Sequence, residues 1–227
     1  MSASLVMAHG AGSHAGFLVR AFPDDRTGLR LRAVDDRTGR IDRIMNALAA
    51  EAVDHTVVLG GVSLGAHAAA TLLARADLPR QIVAGVLVMP AWTGAPDRVA
   101  HLTAAAADAL AVLGPDGVLA ELDSQDWVTG ELADAWAQRD PAELVSELSQ
   151  TAQQAAPDRG TLRRIPVPCA VVALADDPLH PESVARQWAE LIPRSQLVVI
   201  GRNQPSVDLA CFGDTVAGAL TDLGVLG

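Results

Sequence analysis

The chain has 227 residues, half of them hydrophobic, and a formal net charge of −10. That length is most simply one domain with a full core, and no apolar run approaches the roughly 20 residues needed to span a bilayer. The N-terminal arginines are interleaved with aspartates, which argues against a nucleic-acid surface.

The start, Met1-Ser2-Ala3-Ser4, lacks a basic segment, and its apolar stretch breaks at His9-Gly10, so no secretory leader is expected. Leu5-Val6-Met7-Ala8 predicts a buried strand that ends in the turn His9-Gly10-Ala11-Gly12-Ser13. Leu29 to Val34 predicts a second, closing on Asp35-Asp36. Ile41, Ile44, Met45 and Leu48 keep the spacing of one helical face. Val57–Val62 and Val83–Met89 follow as strands, the second closed by Pro90. Late in the chain, Val167 to Leu174 and Leu197 to Ile200 repeat the pattern. A helix opening at Pro181 lies between them, and a closing helix carries Leu209, Phe212, Val216 and Leu220. Continuous apolar strands separated by helices predict an α/β fold: a mainly parallel sheet of about six strands, covered on both faces.

From about 95 to 164 the alternation stops. Only helical patterns occur there, punctuated by Gly114-Pro115-Asp116-Gly117 and Asp140-Pro141. This predicts one domain over residues 1–227, with a helical cap at about 95–164 above the strand ends where ligands bind. Cys169 and Cys211 sit in apolar or helical contexts without metal-ligand spacing. They read as core thiols, and the chain as cytoplasmic.

The sharpest signal is Gly61-Val62-Ser63-Leu64-Gly65. An apolar β-branched run stops at Ser63 and an alanine-leucine helix starts behind it, the layout of a nucleophile elbow. A turn that tight strains the serine backbone, and the flanking glycines let strand and helix pass close to it. The serine hydroxyl then stands above the sheet at the positive end of a helix, where an oxyanion would be stabilised.

With this elbow, the His9-Gly10-Ala11-Gly12 turn, the inserted cap and a late acidic loop, the chain resembles the α/β-hydrolase superfamily over nearly its whole length. The sheet looks like one that starts without the family's usual first two strands. The resemblance implies Ser63 as nucleophile and the backbone N–H groups of Ala11 and Leu64 as an oxyanion hole. It places the acid in Ala175-Asp176-Asp177-Pro178-Leu179-His180-Pro181, at Asp177 by the D-x-x-x-P pattern, with Asp176 in reserve. The family's histidine follows the last strand. Here that loop reads Gly201-Arg202-Asn203-Gln204-Pro205-Ser206, Asn203 takes the matching place, and no histidine follows His180. Asparagine cannot deprotonate a serine at neutral pH.

A base must therefore come from the six histidines. His9 belongs to the architecture of its loop, His55 lies far from the elbow, His67 is one helical turn beyond the serine, and His101 sits in the cap. His14 is placed at the pocket rim. His180 is the first choice, three residues after Asp177, although a cap for the helix opening at Pro181 is its plain alternative. The working distance from imidazole to Ser63 Oγ is about 2.6–3.2 Å. Trp92 and Asn203 join His14 as candidate pocket residues, with Trp127 and Trp136 from the cap.

Two functions compete. The first is a serine hydrolase of esterase, thioesterase or lactonase type, acting on a small carbonyl substrate with a non-standard triad. The second is a degenerate member that binds a small hydrophobic ligand or guides a non-hydrolytic rearrangement. The glycine-rich turn lacks both the dinucleotide fingerprint and the phosphate-loop lysine, so no cofactor and no metal are expected. The expected partner is a small molecule, with no nucleic acid and no membrane. A homodimer stays open.

Overall fold

The computed structural model describes residues 3–54, 56–137 and 139–227. One six-stranded parallel sheet organises it, in the order β2-β1-β3-β4-β5-β6. The strands are β1 (Ser4–Ala8), β2 (Arg30–Val34), β3 (Val57–Val62), β4 (Ile82–Val88), β5 (Cys169–Leu174) and β6 (Ser195–Ile200). They match the apolar runs of the sequence to within a few residues at each end. The fourth run stops at Val88 because Met89 turns away with φ 49°.

Two cores flank the sheet, and strand residues alternate between them as the pleat requires. Val6, Leu59, Leu87 and Val171 face one core, with Leu48 of α3 (Ile41–Glu51), Leu73 of α4 (Leu64–Leu73) and Trp188 of α9 (Glu182–Leu191). Leu5, Val58, Val86 and Val172 face the other. There they meet Leu18 of α1 (Ala15–Ala21) and Phe212 of α11 (Cys211–Asp222). Short α2 (Asp24–Thr27) precedes β2, and short α10 (Gln204–Val207) follows β6. Every residue of α4 except Thr71 is buried, as expected of a helix that is apolar all round. Both cysteines are free and buried.

Four helices separate β4 from β5: α5 (Arg98–Ala120), α6 (Trp127–Trp136), α7 (Pro141–Ala152) and α8 (Arg159–Arg163). Among the described residues this insertion contains no strand. Each of its helices starts on an aspartate, Asp97, Asp126, Asp140 or Asp158, whose carboxylate accepts a first-turn N–H. Leu110, Trp136, Leu144 and Leu148 give the insertion a small core of its own. By length and composition α5 alone among the described helices could cross a membrane. Gly114, at φ 68° and ψ 172°, divides it into two shorter segments.

The chain enters at β1, steps out to β2, and returns past β1 to β3. The sheet therefore has a switch point between the carboxyl ends of β1 and β3, the place where open parallel sheets form a crevice. Glycines set the spacing there. A Cβ on Gly65 would lie 2.1 Å from the Ala8 carbonyl oxygen, and one on Gly61 would lie 2.2 Å from the Gly65 carbonyl carbon. Neither backbone neighbour can rotate aside.

Identical substitutions should thus act with opposite sign. Gly65→Ala should destabilise the protein by about 1–3 kcal/mol through overpacking. Gly218→Ala, at an open position of α11 with nothing near the added methyl, should stabilise it by about 0.5–1 kcal/mol. Urea unfolding midpoints of the two variants check both signs.

Candidate active site

Ser63 sits between β3 and α4 with φ 54° and ψ −113°, a conformation that L-residues adopt only under constraint. Its N–H donates to the Val88 carbonyl at 2.9 Å, and its carbonyl accepts from His67 N at 3.1 Å, so the turn is fixed on both sides. Gly10 backs onto it. A Cβ there would come within 3.0 Å of Ser63 Cβ.

An imidazole reaches Ser63 from the loop after β5. His180 Nε2 lies 3.0 Å from Ser63 Oγ, and His180 Nδ1 lies 2.9 Å from Asp177 Oδ2. Asp177 Oδ1 accepts from the N–H groups of Leu179 at 2.9 Å and His180 at 3.2 Å, which clamps the carboxylate within its own turn. Burial would raise this carboxyl. The His180 hydrogen bond and charge, the Leu179 N–H and nearby Arg202 outweigh it and hold it at about 2. Asp176, the reserve acid, is exposed; its φ of 55° turns the chain so that Asp177 faces inward. The helix behind this loop is capped by Pro181 rather than His180, which leaves the imidazole free for the serine.

The other described histidines have separate tasks. His67 is fully buried. Burial, with His180 adding, pulls its imidazole down to about 3, so the ring is neutral and its Nε2 accepts from Ala91 N at 3.1 Å. It lies edge-on to Trp92 and anchors the loop after β4. His9 Nδ1 donates to the Gly10 carbonyl at 2.7 Å, and its Nε2 lies 3.0 Å from Asp35 Oδ1. That contact holds the Asp35 carboxyl well below the usual range. His101 is exposed, and His55 lies outside the described residues.

The turn after β1 is clamped from above. Gly12 N donates to Glu147 Oε1 at 3.0 Å, and the Gly12 carbonyl accepts from Trp136 Nε1 at 2.9 Å. Glu147 is itself buried and paired with buried Arg139; burial raises its carboxyl despite the pairing. The Ala11 N–H, by contrast, meets no acceptor among the described residues. Leu64 opens α4, so its N–H has no intrahelical acceptor. Ala11, Leu64 and Ser63 all line one cavity.

That cavity, about 410 Å³, reaches from Ser63 to the inserted helices. Its wall is mostly apolar, built from Phe17, Val99, Leu102, Trp127, Leu132 and Leu148, and no arginine or lysine is among its lining residues. Trp92 also lines it; Trp136 does as well. Two expected pocket residues do not. His14 Nε2 turns instead to Asp134 of α6 at 3.2 Å. Asn203 is exposed because it caps α10, and the preceding residue, Arg202, is the one that turns inward. Among the described residues no cluster of three His, Cys, Asp or Glu could hold a metal ion. Arg202 and Glu147 were not found from sequence. Arg202 was within reach of such a reading, as the charged residue of the loop after β6, whereas Glu147 lies 135 residues from its Gly12 partner.

No family model matches the chain, and no curated protein sequence matches it. Solved structures do. MenH from S. aureus superposes with a TM-score of 0.75 at 18% identity, covering 98% of this chain and 94% of that one. The enol-lactonase from Burkholderia xenovorans LB400 gives 0.74 at 18% identity, covering 97% and 92%. A thermophilic esterase from Thermogutta terrifontis gives 0.74 at 16% identity, covering 98% and 91%.

The depressed Asp177 carboxyl has a consequence for stability. A group whose folded value lies below its unfolded one stabilises the fold above the unfolded value, and that contribution is lost as pH falls through the folded one. From 3.8 to about 2, the gain is about 2 kcal/mol at neutral pH. Asp177→Asn should lose it at pH 7, and the difference from the parent should vanish as the pH is taken from 4 to 2. Urea unfolding across that window measures both.

Proposed function

The chain has the α/β-hydrolase fold, and on that premise we propose that it is a serine hydrolase cleaving ester-type bonds in small, uncharged carbonyl substrates. The observation that carries this reading is the imidazole of His180, 3.0 Å from Ser63 Oγ and 2.9 Å from Asp177.

In this reading His180 Nε2 takes the proton of Ser63 as Oγ attacks the carbonyl carbon. Asp177 holds Nδ1–H, fixing the tautomer and stabilising the imidazolium that forms. The tetrahedral oxygen receives the Ala11 and Leu64 N–H groups at the positive end of α4. His180 then returns the proton to the leaving oxygen or sulfur. In the second half-reaction it activates water against the acyl-serine. The inserted helices act as a cap and exclude bulk water from the acyl pocket.

The lining selects the substrate. With apolar walls and no lysine or arginine, a carboxylate on the acyl group would be desolvated without a partner, a cost of several kcal/mol. Esters, thioesters and lactones with aliphatic or aromatic acyl groups suit the space. The esterase and enol-lactonase among the similar structures are in keeping with this class. The competing reading, a hydrolase fold that only binds its ligand, rested on the lack of a histidine after the last strand. An imidazole within reach of the serine from another loop weighs against it.

A fluorophosphonate probe should label the parent at Ser63 and leave Ser63→Ala unlabelled. His180→Ala should stay folded by circular dichroism yet hydrolyse p-nitrophenyl butyrate about 10²–10⁴-fold more slowly. A folded parent that takes no label and cleaves no ester would favour the binding reading. Replacing butyrate by hemisuccinate in the same ester should lower kcat/KM by at least about tenfold, since one unpaired buried carboxylate costs more than 1.4 kcal/mol.

A further inference from the structure

The loop after β6, where the resemblance looks for a histidine, turns an arginine toward Asp177, behind the cavity wall. Arg202 Nη1 lies 3.5 Å from Asp177 Oδ2, the same oxygen that holds His180 Nδ1. Nη1 is shut off from solvent and makes no hydrogen bond; among the described residues the carboxylate nearest to it is Asp177. Nη2 lies 2.5 Å from Asp126 Oδ2, the carboxylate that caps α6. The Arg202 carbonyl accepts from Trp127 Nε1 at 3.1 Å, and Trp127 lines the cavity. One residue therefore touches the acid of the site, the start of an inserted helix and a wall of the pocket.

We propose that Arg202 is a positioning residue: it ties Asp177 to the first turn of α6 and opposes a second positive charge on the imidazole that shares the Asp177 oxygen. The inference rests on the serine-hydrolase reading above. The other ionisable groups around His180 do not duplicate this charge. His67, from α4, is neutral through burial. Asp126 stands behind the arginine, Asp176 is exposed, and Glu131 on the cavity wall is paired with Arg20. With Arg202 in place the carboxylate is shared between two cations, so protonation of the imidazole is less favourable than in an isolated Asp-His pair.

The test compares Arg202→Gln and Arg202→Lys with the parent, reading the pH dependence of kcat/KM for p-nitrophenyl butyrate and of the fluorophosphonate labelling rate. Removing the charge should move the acid limb up by about 0.5–1 pH unit in Arg202→Gln and lower kcat at pH 6. Arg202→Lys, which keeps the charge, should restore the parent limb. If Arg202 only fastened α6 to the sheet, both variants would lose thermal stability, neither limb would move, and the proposal would fall. An upward shift in both variants alike would also overturn it, since charge would then not be the cause. A parent that takes no label at all defeats the hydrolase reading itself, which separates the two failures.

Discussion

The site depends on how closely α4 can approach the ends of β1 and β3. A serine at φ 54° is unfavourable by itself, and it persists because the surroundings leave no alternative. Gly61 and Gly65 remove the two side chains that would hold strand and helix apart, and Gly10 lets the turn after β1 pass beside the serine. Ser63 is bonded through its N–H to β4 and through its carbonyl to α4. Strain at one residue is thereby distributed over three strands and a helix, and the hydroxyl is delivered to a fixed point at the switch of the sheet.

Given that point, one loop can bring both an imidazole and a carboxylate to the serine. Asp177 and His180 are three residues apart, and the carboxylate binds the backbone of its own turn as well as the imidazole. Local geometry therefore sets the Asp177–His180 pair, while only the serine contact depends on the wider fold. This frees the loop after β6 from supplying an imidazole. Arg202 stands there instead and links Asp177 to the start of α6. The insertion reaches the site from a second direction too, since Gly12 donates to Glu147 and accepts from Trp136. Helices that line the cavity thus also hold the turn that carries the Ala11 N–H.

Much of this was legible in the sequence. The four inner strands are buried on both faces and read as continuous apolar runs, the half-buried edge strands β2 and β6 kept enough apolar residues to be seen, and the lack of such runs between β4 and β5 marked the insertion. The glycines around Ser63 identified the turn because few other residues fit there. Asp177 and His180 could be named as neighbours on a loop, but their orientation could not. It depends on the left-handed turn at Asp176 and on a helix that starts at Glu182, one residue later than the proline rule suggests. The loop after β6 was misread by one position. Asn203 was expected inside, yet α10 turns it to solvent and Arg202 inward, a matter of tertiary packing rather than local preference. Glu147 was invisible for the same reason: nothing near it in sequence marks its contact with Gly12.

The central claim is that Ser63 becomes acylated with His180 as its base. Rapid-quench mass spectrometry during turnover of p-nitrophenyl butyrate tests it most directly. The account predicts an early burst of p-nitrophenol and a butyryl group on the peptide carrying Ser63, with the adduct forming far more slowly in His180→Ala. Turnover without any acyl adduct, or an adduct on another residue, would contradict it.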